Sequence, residues 1–400
     1  MSRTQFSARR MRGMSLIELM ISLVIGLIIM LAVVQVFSAS RTAYQLSEGL
    51  ARVQENSRFA MDTLQREIRM AGHFGCVNDQ AHTLQSPGSL VSTLDGANNP
   101  VLDFTRSIQG YEATDTQPGK PLTISATPGT GGTAYTPALP DAIANALTNR
   151  VNGSDIIALR YLMPDGVPVT LVGGTADKPV LSFNAALLPV VRSGMSNPGL
   201  FGVADCLSAT VFQAKAVNAT EASVSFDAGK LNGGRTFTRG YTVGQAMLYR
   251  AESAVYYVGY DSTTKQSSLY RVRFSAVPDG ALIASAPEPL VEGVENMQLL
   301  YGQDRNLYTT TAPSGYIDRQ GTAAAVQGTL SADNATKSWR RVGVVQIGLL
   351  MASPDPSAVQ QADTNASLVS MGVTYTTPTD GRMRAVYQTS VALRNRLFGN

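Results

Sequence analysis

The sequence predicts an α+β protein, a long N-terminal helix packed on an antiparallel β-sheet body. Three observations carry that expectation. Met14 to Phe37 is an unbroken apolar run with a single charge, Glu18. Beyond Arg41, apolar residues recur at steps of three and four, and no proline occurs before Pro87. From Ser154 the chain breaks into short β-branched segments bounded by turn residues. Its 36 glycines and 19 prolines favour such a turn-rich body over a helical bundle.

Residues 1–13 form a basic leader with Arg3, Arg9, Arg10 and Arg12, ending at Gly13. The apolar run that follows makes a helix of about 36 Å at about 1.5 Å per residue, enough for a bilayer core of about 30 Å. A secretory signal has an apolar core of only about 7–15 residues, with its small-residue cleavage site after it. Here the small-residue break precedes the run, so cutting at Gly13 removes the charges and keeps the membrane helix. The arginines hold the N-terminus in the cytoplasm and send the C-terminal bulk across the membrane. They also account for the net charge of +3: without these four, 28 basic residues face 29 acidic ones. No basic field remains to attract nucleic acid.

Glu18 is the chemically loaded residue of the run. A carboxylate inside a bilayer costs at least about 2.5–3.5 kcal/mol and so calls for a partner. The α-amine of Met14, freed by cleavage, is the partner on offer. A Glu18 that snorkels to the headgroups is the alternative.

The helix is expected to continue to Ala71. Leu46, Leu50, Val53, Ala60, Leu64, Ile68 and Ala71, with Ser57 filling one gap, mark the face that packs on the body. The expected division is a leader (1–13), a membrane helix (14–37) and an amphipathic extension (38–75). A loop-rich insertion (76–153) and a β-rich body (154–400) follow. The insertion carries Gly-, Pro- and Thr-rich stretches and one short helix near Pro140–Asn149. In the body, strands are expected at Asp155–Leu162, Val167–Val172, Val180–Phe183, Ala209–Ala216, Ala222–Phe226, Ala246–Arg250, Ala254–Tyr260 and Ser268–Phe274. Asp261–Gln266 forms a hairpin loop, and Tyr256 and Tyr257 are packing residues.

Cys76 and Cys206 fall on the oxidising side of the membrane, where an even pair suggests a disulfide, with two unpaired buried thiols as the alternative. The only histidines, His73 and His82, show no metal-ligand spacing, and no cofactor is expected. No Gly-x-Ser-x-Gly or phosphate-loop motif occurs. Asp333-Asn-Ala and Asp363-Thr-Asn365 lack the glycine and distal glutamate of a calcium loop. An enzyme is not expected.

Gly13, then Met14 as a new N-terminus, then Glu18 fifth in the mature chain before an apolar run resembles the type IV prepilin signature. Phe is usual at the Met14 position, and many pilins carry a proline in the apolar half, where this chain has only Gly26. Leu290-Val-Glu-Gly-Val-Glu-Asn-Met-Gln-Leu-Leu-Tyr301 resembles a segment of PilW-type minor pilins and J-type pseudopilins. Trp339–Met351 and Arg382–Arg396 resemble the strands that follow it, and Met70–Cys76 resembles a PilW helix exit. The resemblance implies a pilin-like fold, cleavage after Gly13 by prepilin peptidase, N-methylation of Met14, and pairing of Glu18 with a neighbouring subunit's N-terminal amine. It implies a structural minor pilin that moves from the inner membrane into the pilus. Its partners would be other minor pilins, the major pilin, the inner-membrane assembly platform and, as a further candidate, a tip adhesin. A minor pseudopilin of a type II secretion system and a membrane-tethered periplasmic binding protein are the rivals.

Overall fold

The structure, a computed structural model, describes residues 13–77, 90–304, 314–356 and 368–393. The leader up to Arg12, His82, the Asp363–Asn365 stretch and residues 394–400 lie outside them. Helix α1 runs unbroken from Leu16 to Met70, as expected of a proline-free tract. It ends where Gly72 and Gly75 take left-handed φ of 77° and 73°. Phe74 and Val77 there form an isolated bridge.

The body holds a 13-stranded sheet, a four-stranded sheet and a three-stranded sheet. The large sheet is organised around the 15-residue strand Met247–Asp261. Its first residues pair with Leu200–Ala204 and Val167–Gly174, and its remainder pairs with Ile156–Leu162 and Gln266–Ala276. The sequence predicts two strands here, broken at Ala251-Glu252-Ser253, where the structure has one. Glu252 keeps the strand whole because its buried carboxylate is paired with Arg250 and Arg273. The four-stranded sheet is antiparallel throughout, in the order Ile317–Gly321, Val294–Asp304, Val342–Ala352, Arg384–Ala392.

Two cores lie on opposite faces of the large sheet. Ile157, Leu159, Tyr256 and Val258 join Val53, Ala60, Leu64 and Ile68 of α1 and Met297, Leu299, Val345, Ile347, Leu349 and Val391 of the smaller sheet. Ile156, Ala158, Val255 and Tyr257 point the other way, toward Phe74, Leu102, Phe104, Tyr111 and Phe274. Burial on both faces explains why these strands read as apolar runs rather than alternations. A third cluster gathers Phe201, Phe212, Phe226 and Phe237, with the Phe226 and Phe237 rings 4.7 Å apart.

Three expectations need correction. Leu46 and Leu50 stay 41% and 37% exposed, because the body meets the helix only from Gly49 and Val53 onward. Within the expected loop-rich stretch 77–150, the described residues 90–150 are more regular than their composition suggests. They hold the expected short helix, Asp141–Ala146, but also Ile108–Ala113, a strand buried along its whole length beside Ile156–Leu162. Trp339 ends a helix, Ala332–Arg340, and the strand begins at Val342. The Trp339 indole is fully buried and donates to Gln327 Oε1 at 2.8 Å.

Candidate assembly helix and its seat on the body

The helix divides into a bare half and a seated half. Ser15 caps its start, its hydroxyl accepting the Ile17 N–H at 3.3 Å. Every side chain from Leu16 to Phe37 is exposed. The Glu18 carbonyl accepts the Ser22 hydroxyl at 2.6 Å, while its carboxylate has no ion-pair partner among the described residues. So long an exposed apolar surface is unstable in water and requires lipid or protein around it.

The seated half is fixed by packing and by polar ties at intervals. Asn56 donates to the Glu292 carbonyl at 3.2 Å, and Gln65 donates to Thr389 Oγ1 at 3.1 Å. The Tyr161 hydroxyl donates to Glu67 at 2.7 Å, and Arg271 stands 4.0 Å from the same carboxylate. Arg271 also holds Glu288 at 2.9 Å, so a charge ladder runs from the helix onto the sheet.

At the helix exit the structure joins Cys76 to Cys206, across a sequence separation of 130. Cys206 lies in the turn between Leu200–Ala204 and Ala209–Asn218. Gly75 combines its left-handed φ with tight surroundings, since a Cβ there would stand 3.0 Å from Ala204 Cβ. His73 Nδ1 lies 2.8 Å from the Leu162 carbonyl, and its ring meets Tyr249 edge-on. The bond therefore staples the end of α1 to the large sheet. Cys206→Ser should lower the unfolding free energy by about 2–4 kcal/mol, read from denaturant titration.

The Leu290–Tyr301 stretch is where the chain changes sheets. Glu288–Glu292 pairs with Gln266–Ala276 of the large sheet, while Val294–Asp304 pairs with Val342–Ala352 of the smaller one. Gly293 makes the switch with φ of 82°, and a Cβ there would stand 2.6 Å from the Ala352 carbonyl oxygen. Only glycine fits both demands. Two residues on, the buried Glu295 receives a bidentate pair from Arg384, at 2.7 and 2.9 Å. Asp380 takes two more bonds from the same guanidinium, both at 2.7 Å. Burial acts against the Arg384 charge, but the two carboxylates outweigh it and raise the pKa. Burial likewise opposes the Asp380 charge, and the Arg384 bonds overcome it, lowering that pKa.

A second polar seam joins the two sheets. Asp155 Oδ1 accepts the Ala113 N–H at 3.0 Å and Oδ2 accepts the Leu299 N–H at 2.9 Å. Asn296 and Gln298 donate to the Gly153 carbonyl at 2.8 and 3.0 Å. Burial pushes the Asp155 carboxyl up to about 8, against the pull of its two N–H donors and with a small push from Glu112. A carboxyl raised in the fold contributes its full stability below the ordinary range near about 4, and that contribution is lost as pH rises through about 8. Asp155→Asn removes the titration. The stability advantage of the wild type over this variant should shrink as pH rises from about 5 to about 9 in paired denaturant titrations.

Among the described residues no cluster of His, Cys, Asp or Glu could hold a metal ion. Residues 255–395 match the family model of the type IV pilus-assembly protein W, and residues 8–34 match that of the prokaryotic N-terminal methylation motif. The chain is thus similar to PilW-type pilins over these two segments. No curated protein and no solved structure matches it significantly. The PilW match opens inside the long strand Met247–Asp261 and closes just past Leu393. It thus covers most of the strands against which Val53, Leu64 and Ile68 pack, Ile156–Leu162 excepted. The methylation-motif match lies in the bare half of α1, and the same helix continues into the seat on the PilW-matched strands. The Gly293 switch and the Glu295–Arg384–Asp380 clasp lie inside the PilW segment. Sequence spacing does not reveal the clasp, because Glu295 and Arg384 stand 89 positions apart. The methylation motif, one helix among the described residues long and apolar enough to cross a membrane, and the PilW-like segment together support a type IV pilus-related pilin.

Proposed function

We propose that this chain is a minor pilin that primes or caps a type IV pilus as a structural, non-catalytic subunit. The observation that carries the reading is the division of α1. One continuous helix of 55 residues has its lower half locked into a PilW body and its apolar half bare. Such a helix is stored in the bilayer with its N-terminus cytoplasmic, then passes into a filament whose other subunits cover it. Prepilin peptidase cuts between Gly13 and Met14, and Met14 is N-methylated. Glu18 sets register by pairing with a neighbour's amine. Other minor pilins, the major pilin and the assembly platform are the partners, and the large body favours a place at the tip.

Intact-mass measurement should find a mature chain that begins at N-methylated Met14. Retention of residues 1–13 in cells with active peptidase overturns the reading. Deletion should abolish twitching and leave exoprotein secretion intact. The reverse pattern assigns the chain to a secretion system, and normal pili with an uncleaved leader make it a tether.

A further inference from the structure

Beside its seat, α1 borders a groove of about 440 Å³ against strand Glu288–Glu292. Phe59 stands at its centre, 57% exposed on the flank of a helix whose other side is core. Leu290 is half-buried across from it, and Asn56 closes the floor through its bond to the Glu292 carbonyl. The rim carries Glu55, Asp62, Glu292 and Arg58. Arg58 leans on Asp62 at 3.9 Å. Among the described residues no cation lies within ion-pair reach of Glu55 or Glu292, so the rim keeps two uncompensated negative charges. The groove also continues an aromatic stripe. At about 100° per residue, Phe37, Tyr44 and Phe59 fall within about 60° of one another around the helix. Phe37 and Tyr44 are each 70% exposed.

Resting on the minor-pilin reading above, we infer that this groove is a docking site for the helix of a different prepilin-type subunit, one that presents an apolar side chain flanked by lysine or arginine. The stripe fixes the class of partner. It runs from the membrane segment up into the groove, so its occupant lies alongside α1 and is anchored in the same bilayer. The rim fixes the partner's chemistry, because Glu55 and Glu292 attract a basic helix and disfavour an acidic one. A second copy of this chain fits poorly. Its Arg52 and Arg58 are already committed to Glu48 and Asp62 on their own helix, and the same stretch carries Glu55. Phe59 is the anchor, an aromatic at the centre of a charged ring.

The test is in-cell photo-crosslinking of the full chain, with a photoreactive phenylalanine analogue placed at Phe59 or, separately, at Phe37. The Phe59 adduct should map by mass spectrometry to the helix of another prepilin-type subunit, next to lysine or arginine. Glu55→Lys with Glu292→Lys should cut its yield roughly fivefold or more while leaving the Phe37 adduct unchanged. Phe59→Ala should keep the wild-type melting temperature, because its ring lies outside the core, and should lower recovery in sheared pili. An adduct to a second copy, to an acidic helix or to lipid alone overturns the inference. So does loss of the Phe59 adduct while Phe37 still crosslinks, an outcome that leaves the minor-pilin reading standing. Absence of subunit adducts at both positions overturns both.

Discussion

Replacing Arg384 by alanine should lower the unfolding free energy of the body by about 3–5 kcal/mol. The guanidinium is fully buried between Glu295, 9% exposed, and Asp380, 20% exposed. Removing it leaves one carboxylate with no cation in the interior and a second at the surface edge. The loss reflects that uncompensated burial, more than the attraction in the intact clasp. Two further variants separate the effects. Arg384→Met with Glu295→Met removes the buried pair together and should recover much of the loss. Glu295→Gln in the Arg384→Ala background should recover less, because it neutralises one carboxylate without refilling the space. The pH dependence has a definite sign. The lowered Asp380 pKa means that its contribution is present above the ordinary carboxylate range and fades as pH falls through the folded value. Arg384→Ala should therefore also flatten the acid limb of the stability profile. Denaturant titration across pH measures both effects, and a loss below about 1 kcal/mol sinks the account. Because the clasp ties the segment after Gly293 to the closing strand, its failure also loosens the sheet on which α1 is seated.

The helix was legible because its signals are local. Periodicity from Val53 to Ile68 and the absence of proline fix it, and Gly72 marks its end. The strands Ile156–Leu162 and Gln266–Ala276 were legible for a similar reason, in β-branched and aromatic runs bounded by turns. Ile108–Ala113 was not, since its sequence, Ile-Gln-Gly-Tyr-Glu-Ala, carries polar residues inward. Gln109 and Glu112 are tolerated there because Gln327 and the Ala324 N–H reach them from more than two hundred positions away. Asp155 and Arg384 were missed on the same ground. Asp155 satisfies N–H groups from both sheets, and Arg384 satisfies a carboxylate 89 positions away, so no spacing rule connects them to their partners. The extent of the helix seat was also overestimated. Periodicity includes Leu46 and Leu50, but it cannot say where the body stops. In the candidate site, Glu18 and the cysteines stand out by residue type alone, while the groove at Phe59 exists only once Leu290 is brought beside it.

Glu18→Ala should leave membrane insertion and leader cleavage near wild-type levels and remove the protein from pili. The carboxylate sits in the first turn of α1, exposed, with no cation of its own chain beside it among the described residues. Removing a charge from a membrane helix makes insertion easier, by at least about 2.5–3.5 kcal/mol on insertion scales. The variant therefore cannot fail at that step for electrostatic reasons. It fails where the partner amine of the next subunit is buried in lipid with nothing to neutralise it. Glu18→Gln should be nearly as poor, because an amide accepts a hydrogen bond from the amine but cannot balance its charge. Mass spectrometry of membranes should show processed chains for both variants, and immunoblots of sheared pili should show little of either. Entry of both variants into pili at wild-type levels would reduce Glu18 to a snorkelling residue. Register along the filament would then have to come from side-chain contacts such as those at Phe59, which act outside the bilayer and are screened by salt where they involve Glu55 and Glu292.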